Sequence, residues 1–381
     1  MKYYIIAGEA SGDLHGSNLI KEIKKQDSAA VIRCWGGDKM QAAGGELVKH
    51  YRDLAFMGFA EVLMNIRTIF RNLRFCKEDI LQFKPDALIL VDYPGFNLRI
   101  AKWAKQQPLF ADKVSKIIYY ISPQVWAWKE GRVKMMKECI DKMLVILPFE
   151  KDYYKNKWNW EVEYVGHPLV EVVESVVNSQ GSAAIDPILS NSNNKLIALL
   201  PGSRKQEIRI KLPVMLEVSK SFPDFQFVVA KAPGVEDSFY DEMLKIFSNV
   251  SYVSGKTYDL LLTSKAALVT SGTATLETAL FGVPEAVCYK GSWLSYQIGK
   301  RVVKVKYISL VNLIMDKLVV KEFIQHDMNA ENLTRELNEL LHNSERLDQI
   351  KKGYTSLKKI LSEKGNASAK AAASIVKLLS K

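Results

Sequence analysis

The chain reads as an α/β protein, two Rossmann-like βαβ domains facing a cleft, and three observations lead there. Strand-like runs alternate with amphipathic helical stretches along most of the 381 residues, which is the mark of parallel sheets. The runs form two series separated by a segment, 178–194, rich in Ser, Asn, Gly and Ala, and a chain of this length exceeds one ordinary core. Three strand-to-helix turns are built of small and polar residues: Ala7-Gly8-Glu9-Ala10-Ser11-Gly12-Asp13, Leu200-Pro201-Gly202-Ser203-Arg204 and Ser271-Gly272-Thr273-Ala274-Thr275-Leu276-Glu277. A helix start offers unpaired N–H groups and partial positive charge, and open α/β sheets bind ligands beyond the carboxyl ends of their strands.

In the first series, the run 3–7 leads into glycines at 8, 12 and 16. These let the backbone turn tightly and a ligand approach it. The spacing is not GxGxxG, and no acidic residue ends the second run at 30–35, which argues against a nicotinamide cofactor. Glu9, Ser11, Asp13 and His15 crowd this turn beyond what helix capping needs.

The stretch 54–77 comes next. Phe59, Val62, Leu63, Ile66, Phe70 and Leu73 recur at three- and four-residue spacing beside Arg67, Arg71, Arg74 and Lys77, with Phe56, Met57 and Met64 adding apolar surface. That describes an interfacial helix on an anionic membrane, or a core-packed helix with a solvated basic face; spacing does not choose.

The run 87–91 ends at Asp92, followed by Tyr93-Pro94-Gly95-Phe96-Asn97. A carboxylate partly desolvated at a strand end has its pKa drawn toward the range of a general base. A turn-forming or capping Asp is the plainer alternative. The run 117–121 leads to Ser122-Pro123-Gln124-Val125-Trp126-Ala127-Trp128, then Lys129 and Arg132. These tryptophans either stack on a sugar or base or pack between domains. After the run 143–147, His167 before Pro168 reads as a structural histidine.

The second series opens with 195–200 and Arg204, where helix N–H groups and a guanidinium make a phosphate clamp. Runs 225–229, 250–253 and 266–270 follow. The cradle at 271–275 lacks the Lys of a P-loop, so nucleotide hydrolysis is not indicated. Glu277 either accepts from ribose hydroxyls or closes a capping box. The run 285–289 precedes a second basic-aromatic stretch at 290–307, and the end from about 331 is helical, with a small-residue run at 367–374.

Apolar content of 48% and charged content of 25% are those of a globular protein. A net charge of +11 favours an anionic partner: nucleic acid, a phosphorylated substrate or an acidic membrane. The four cysteines form no CxxC, so neither a zinc site nor a disulfide framework is expected, and a reducing cytosol fits. No Asp-x-Asp pair occurs, and neither metal nor cofactor is expected. The N-terminal run is too short for a signal peptide, and no stretch is long enough to span a membrane.

Together, AGEASGD at 7–13, Asp92 with Pro94 and Phe96-Asn97, SPQVWAW at 122–128, LPFE at 147–150, GHP at 166–168, LPGSR at 200–204, SGTATLE at 271–277 and Ser309-Leu310-Val311-Asn312-Leu313 resemble the lipid-A-disaccharide synthases. The resemblance runs in order over most of the chain. It implies a B-type glycosyltransferase fold. It also implies an inverting hexosyltransferase that joins UDP-2,3-diacylglucosamine to 2,3-diacylglucosamine 1-phosphate and releases UDP, in lipid A and lipopolysaccharide synthesis for the outer membrane of a Gram-negative bacterium. It further implies peripheral attachment to the cytoplasmic face of the inner membrane and homodimers formed by exchanged C-terminal parts. The implied important residues are Asp92, Arg204 and Asn312.

The expected catalytic residues are Asp92, the candidate base, with Asp13, Glu9 and His15 as rivals. Expected substrate contacts are Ser11, Gly12, Asn97, Gly202, Ser203, Arg204, Ser271, Gly272, Thr273, Ala274, Glu277 and Asn312. Expected membrane contacts are Met57, Phe59, Leu63, Ile66, Arg67, Phe70, Arg71 and Arg74. The expected domains are 1–172 for the acceptor and membrane, 173–355 for the UDP-sugar, and a C-terminal helix at 356–381 packing back on the first or exchanged in a dimer. Two departures stand out: Gly95 replaces a second Asp found in many members, and Val311 replaces a common Pro. Competing readings are a UDP-sugar epimerase or another transferase on the same fold, and a non-catalytic polyanion or nucleic-acid binder.

Overall fold

A computed structural model describes residues 1–53, 66–112, 114–179, 189, 195–291, 296 and 305–380. The chain forms two compact units, Met1–Pro168 with Leu361–Lys381, and Leu169–Ile360.

The first unit carries β1 (Lys2–Ala7), α1 (Ala10–Gln26), β2 (Val31–Gly36), α2 (Asp38–Ala42), β3 (Glu46–His50), α3 (Ile66–Phe83), β4 (Ala87–Val91), α4 (Pro94–Ala104), α5 (Pro108–Ala111), β5 (Lys116–Tyr120), α6 (Arg132–Cys139), β6 (Lys142–Val145), α7 (Pro148–Trp158) and β7 (Glu163–Tyr164). The strands form one parallel sheet ordered β3-β2-β1-β4-β5-β6-β7. Successive strand residues point to opposite faces, and both faces are covered. Tyr4, Ile6, Leu88, Leu90, Ile117 and Tyr119 pack with Leu73, Cys76, Ile80 and Phe83 of α3. Tyr3, Ile5, Ile89, Val91, Ile118 and Tyr120 pack with Leu19, Ile20 and Ile23 of α1.

The second unit follows with α8 (Pro168–Ser179), β8 (Leu196–Leu200), α9 (Lys205–Ser219), β9 (Gln226–Lys231), α10 (Asp237–Leu244), β10 (Val250–Ser254), α11 (Thr257–Thr263), β11 (Ser264–Thr270), α12 (Thr273–Leu280), β12 (Glu285–Tyr289), α13 (Leu310–Met315), β13 (Glu322–Ile324), α14 (Ala330–His342) and α15 (Ser344–Ser362). Its parallel sheet is ordered β10-β9-β8-β11-β12-β13. The repeated βαβ pattern thus yields two parallel α/β sheets. Sequence reading missed β3, β7 and β13. All three lie at sheet edges, are short and only partly buried, and lack the apolar run that marks a central strand.

The last helix, α16 (Ala367–Leu379), belongs to the first unit. Ala371, Ala372 and Ile375 enter the core beside α1. Gln26 Nε2 donates to the Ala369 carbonyl at 3.3 Å, and Ser374 Oγ donates to Glu163 at 2.7 Å. The alanines at 371 and 372 let the two helices approach closely.

α3 resolves part of the ambiguity at 54–77. Residues 54–65, including Met57, Phe59 and Leu63, and the Ile66 side chain lie outside the described residues. Leu73, Cys76, Ile80 and Phe83 are core, and Asp79 accepts from Tyr4 Oη at 2.5 Å and pairs with Arg33 at 2.9 Å. Phe70 is 62% exposed on the same face of the molecule as exposed Arg67, Arg71 and Arg74. The stripe expected as one apolar face therefore splits: Leu73 goes inward and Phe70 outward. Lys77 turns toward the Trp103 ring, 5.5 Å away, and leaves the basic stripe. Among the described residues no helix is long and apolar enough to cross a membrane.

Candidate active site

In the first unit, the site grows from the carboxyl ends of β1, β4 and β5. Asp92 and Tyr93 follow β4 with φ of 44° and 46°. Left-handed backbone is costly for residues with a Cβ, and two in succession require outside support. The Asp92 N–H donates to the Tyr120 carbonyl at 3.0 Å. The Asp92 carbonyl accepts from the Tyr119 hydroxyl and from Asn97 Nδ2, the latter at 2.8 Å. The Tyr93 ring lies against Gly8, where an added Cβ would come within 2.1 Å of a ring carbon. Glycine is therefore required at the β1 turn to admit the β4 turn.

Among the described residues eight non-glycine residues have positive φ, and Asp92, Tyr93, Ile121 and Lys129 all lie on the loops after β4 and β5. Such strain concentrated in two adjacent loops points to a functional site. Burial first, then the charge of Glu9, push the Asp92 carboxyl up to about 7, although a backbone N–H from Tyr93 opposes them. A carboxyl pKa drawn toward neutrality is the direction a general base needs.

The other candidates meet different fates. Asp13 is buried and accepts from the N–H groups of Gly37 at 2.8 Å, Met40 at 3.0 Å and Lys39 at 3.2 Å. It holds the start of α2, so its carboxylate is occupied by the fold. His15 is buried, and its Nδ1 has no hydrogen-bond partner among the described residues. Burial, then Lys39, lower its pKa to about 4, and buried His167 is lowered to about 3 by burial and His15. Such an imidazole is neutral at physiological pH but a weak base. Glu9 precedes α1 in extended backbone and is partly exposed; its side chain does not cap the helix. Ser11 is exposed in the first turn of α1, while Gly12 is buried with an added Cβ 3.1 Å from Ala7 Cβ. Asn97 is fully buried, and its amide also donates to the carbonyls of Ile6 and Val91. It positions the Asp92 turn.

Glu150 was not assigned a role from sequence. It is buried, accepts from Trp126 Nε1 at 3.2 Å and the Leu147 N–H at 2.9 Å, and is pushed up to about 7 chiefly by burial. It ties the tryptophan loop to the start of α7. The acidic third position of that helix was the available signal.

In the second unit, Gly202 has φ +124°, a left-handed turn that places exposed Ser203 and Arg204 before α9. Arg204 pairs with Glu207 at 3.6 Å, and Lys211, buried on α9, lies 4.0 Å from the same carboxylate. Gly272, at φ +154°, opens α12 with Gly272 and Thr273 exposed and Ser271 and Ala274 partly so. Ser271 Oγ donates to the Ile308 carbonyl at 2.8 Å. Glu277 closes no capping box. It accepts from the Tyr258 hydroxyl at 3.1 Å, and burial raises its pKa.

Asn312 is fully buried, and its side chain is consumed by the fold. Its Oδ1 accepts from the N–H groups of Val319 at 2.8 Å and Val320 at 3.1 Å, while Nδ2 donates to the Val320 carbonyl and Glu322, both at 2.8 Å. Glu322 also accepts from the N–H groups of Ile308 and Ser309, each at 3.0 Å. Asn312 therefore organises the loop beside the α12 turn; it does not reach out from it.

The profile of the lipid-A-disaccharide synthetase family matches residues 3–377. The lipid-A-disaccharide synthase of Geobacter metallireducens is 37% identical over 385 residues, covering 99% of this chain and 97% of that protein. A crystal structure of UDP-GlcNAc 2-epimerase from Neisseria meningitidis bound to UDP-GlcNAc superposes with a TM-score of 0.66 at 14% identity, covering 100% of both chains. The kitacinnamycin glycotransferase gives a TM-score of 0.63 at 13% identity, covering 99% of this chain and 98% of that one. The likeness in structure establishes the shared two-sheet fold.

Proposed function

The chain belongs to the lipid-A-disaccharide synthetase family, and from that premise we propose that it joins UDP-2,3-diacylglucosamine to 2,3-diacylglucosamine 1-phosphate. The products are the β-1,6-linked disaccharide 1-phosphate of lipid A and UDP. The observation that carries the catalytic reading is Asp92, a carboxyl held on strained backbone and pushed up to about 7.

The primary hydroxyl of the acceptor attacks the anomeric carbon of the donor. As the new C–O bond forms, its proton passes to Asp92, and the bond to UDP breaks with its electron pair going to the leaving phosphate oxygen. One displacement inverts the anomeric centre. Gly95 in the same turn offers no second carboxylate, so one carboxylate does this work. The start of α9 with Arg204, and the turn at 271–274 with Glu277 toward ribose, hold UDP and stabilise its developing charge.

Phe70, Arg67, Arg71 and Arg74 on α3 serve peripheral attachment to the cytoplasmic face of the inner membrane, where acylated substrates reside. A homodimer that exchanges α16 belongs to the same proposal. Incubating donor with and without acceptor, and assaying UDP, tests the reading. Release that requires the acceptor supports it. Release without acceptor, or none from folded protein, refutes it.

A further inference from the structure

The loop between β5 and α6 holds a pair of cations that the fold does not explain. Lys129 is left-handed at φ +56°, and the Arg132 N–H closes its turn by donating to the Lys129 carbonyl at 3.1 Å. Arg132 is the first residue of α6, where the helix dipole repels a cation, and no acidic residue follows in the first turn. Lys129 Nζ lies 4.2 Å from the ring centroid of Trp128, which is 45% exposed. The intervening carboxylate, Glu130, is engaged by the Tyr153 hydroxyl at 2.8 Å and by Lys157 at 2.5 Å. Among the described residues neither Lys129 nor Arg132 has an acidic partner. Gly131 between them has open space where a Cβ would stand.

This pair adjoins the proposed base. β5 is the neighbour of β4, and the Tyr119 hydroxyl on β5 donates to the Asp92 carbonyl. Burial, then the Asp92 charge, raise the Tyr119 phenol, while the Arg132 charge opposes them. Burial and the nearby Arg132 also lower the Lys129 ammonium, as expected of two cations awaiting a counter-charge.

We propose that Trp128, Lys129 and Arg132 form the subsite that holds the phosphate monoester of the acylated sugar acceptor. The proposal rests on the transferase reading above. A dianionic monoester matches two neighbouring cations that have no acidic partner among the described residues. The exposed part of the Trp128 ring offers an apolar wall for the sugar. Trp126, tied to Glu150, keeps the loop in place.

The test is steady-state UDP release with detergent-solubilised acceptor, phosphorylated or dephosphorylated, for wild type, Lys129→Gln, Arg132→Gln and the double variant. The expected KM for phosphorylated acceptor rises about tenfold per cation removed, while donor KM holds. Wild type should bind dephosphorylated acceptor as weakly as the double variant binds either form. Equal wild-type KM for the two acceptors overturns the proposal without reference to any variant. An unchanged variant KM, or a rise confined to the donor, does so too. If the double variant loses flotation with phosphatidylglycerol vesicles but keeps its acceptor KM, the cations serve lipid headgroups and the proposal fails. A wild type that transfers to dephosphorylated acceptor alone sinks this inference but keeps the transferase. A wild type that transfers to neither sinks both.

Discussion

Asp92 holds its proton to about pH 7 in the folded chain, whereas an ordinary Asp releases it near 4. A base acts when deprotonated, so kcat/KM should fall with decreasing pH below about 7, which a pH-rate profile measures. The same shift opposes stability. Between about pH 4 and 7 the folded state binds more protons than the unfolded state, so this residue's contribution to stability falls as pH rises through that window. Asp92→Asn should then raise the melting temperature at pH 8, by an equivalent of less than about 4 kcal/mol. The same variant should lose about 10²- to 10⁴-fold in turnover with UDP affinity retained. The place of Asp92 just beyond a strand was legible because a carboxylate ended a buried apolar run. The internal bonding of Asp13, Asn97 and Asn312 was not: Asp13 meets Gly37 and Asn97 meets Ile6 far along the chain, Asn312 meets the nearby segment 319–322, and spacing alone does not reveal that a side chain's hydrogen bonds are already filled.

Elements show a similar division. Central strands were legible because a strand buried on both faces is a continuous apolar run; the edge strands β3, β7 and β13 carry no such signal. For α3, periodicity gave the helix but not the outward turn of Phe70, since that depends on where Asp79 anchors the inner face. Arg67→Gln with Arg71→Gln should weaken binding to anionic vesicles by about 1 kcal/mol per residue, with the melting temperature unchanged, as flotation and calorimetry would read. Asn312 makes four hydrogen bonds within its loop. Asn312→Ala should cost about 2–4 kcal/mol of stability in denaturant titration. Its effect on UDP affinity should follow that loosening, so lower temperature should partly restore binding.

At the scale of the whole chain, the C-terminal helix completes the first unit after the second has been built. The small-residue run at 367–374 was visible in sequence, but not the partner it fits, because helix contact depends on the return of a chain more than 300 residues away from α1. Removing residues 364–381 should uncover Leu19, Ile20 and Ile23 and cost at least about 3 kcal/mol in the first unit. Calorimetry should show a lowered transition while UDP binding persists. The +11 charge likewise told of an anionic partner without locating it. The central claim, an acceptor-dependent transferase with Asp92 as base, meets its most direct test in UDP release by wild type and Asp92→Asn, each with and without acceptor. The account predicts release by wild type only when acceptor is present, and its near-complete loss in a folded, UDP-binding Asp92→Asn. Comparable acceptor-dependent release by both proteins would contradict it.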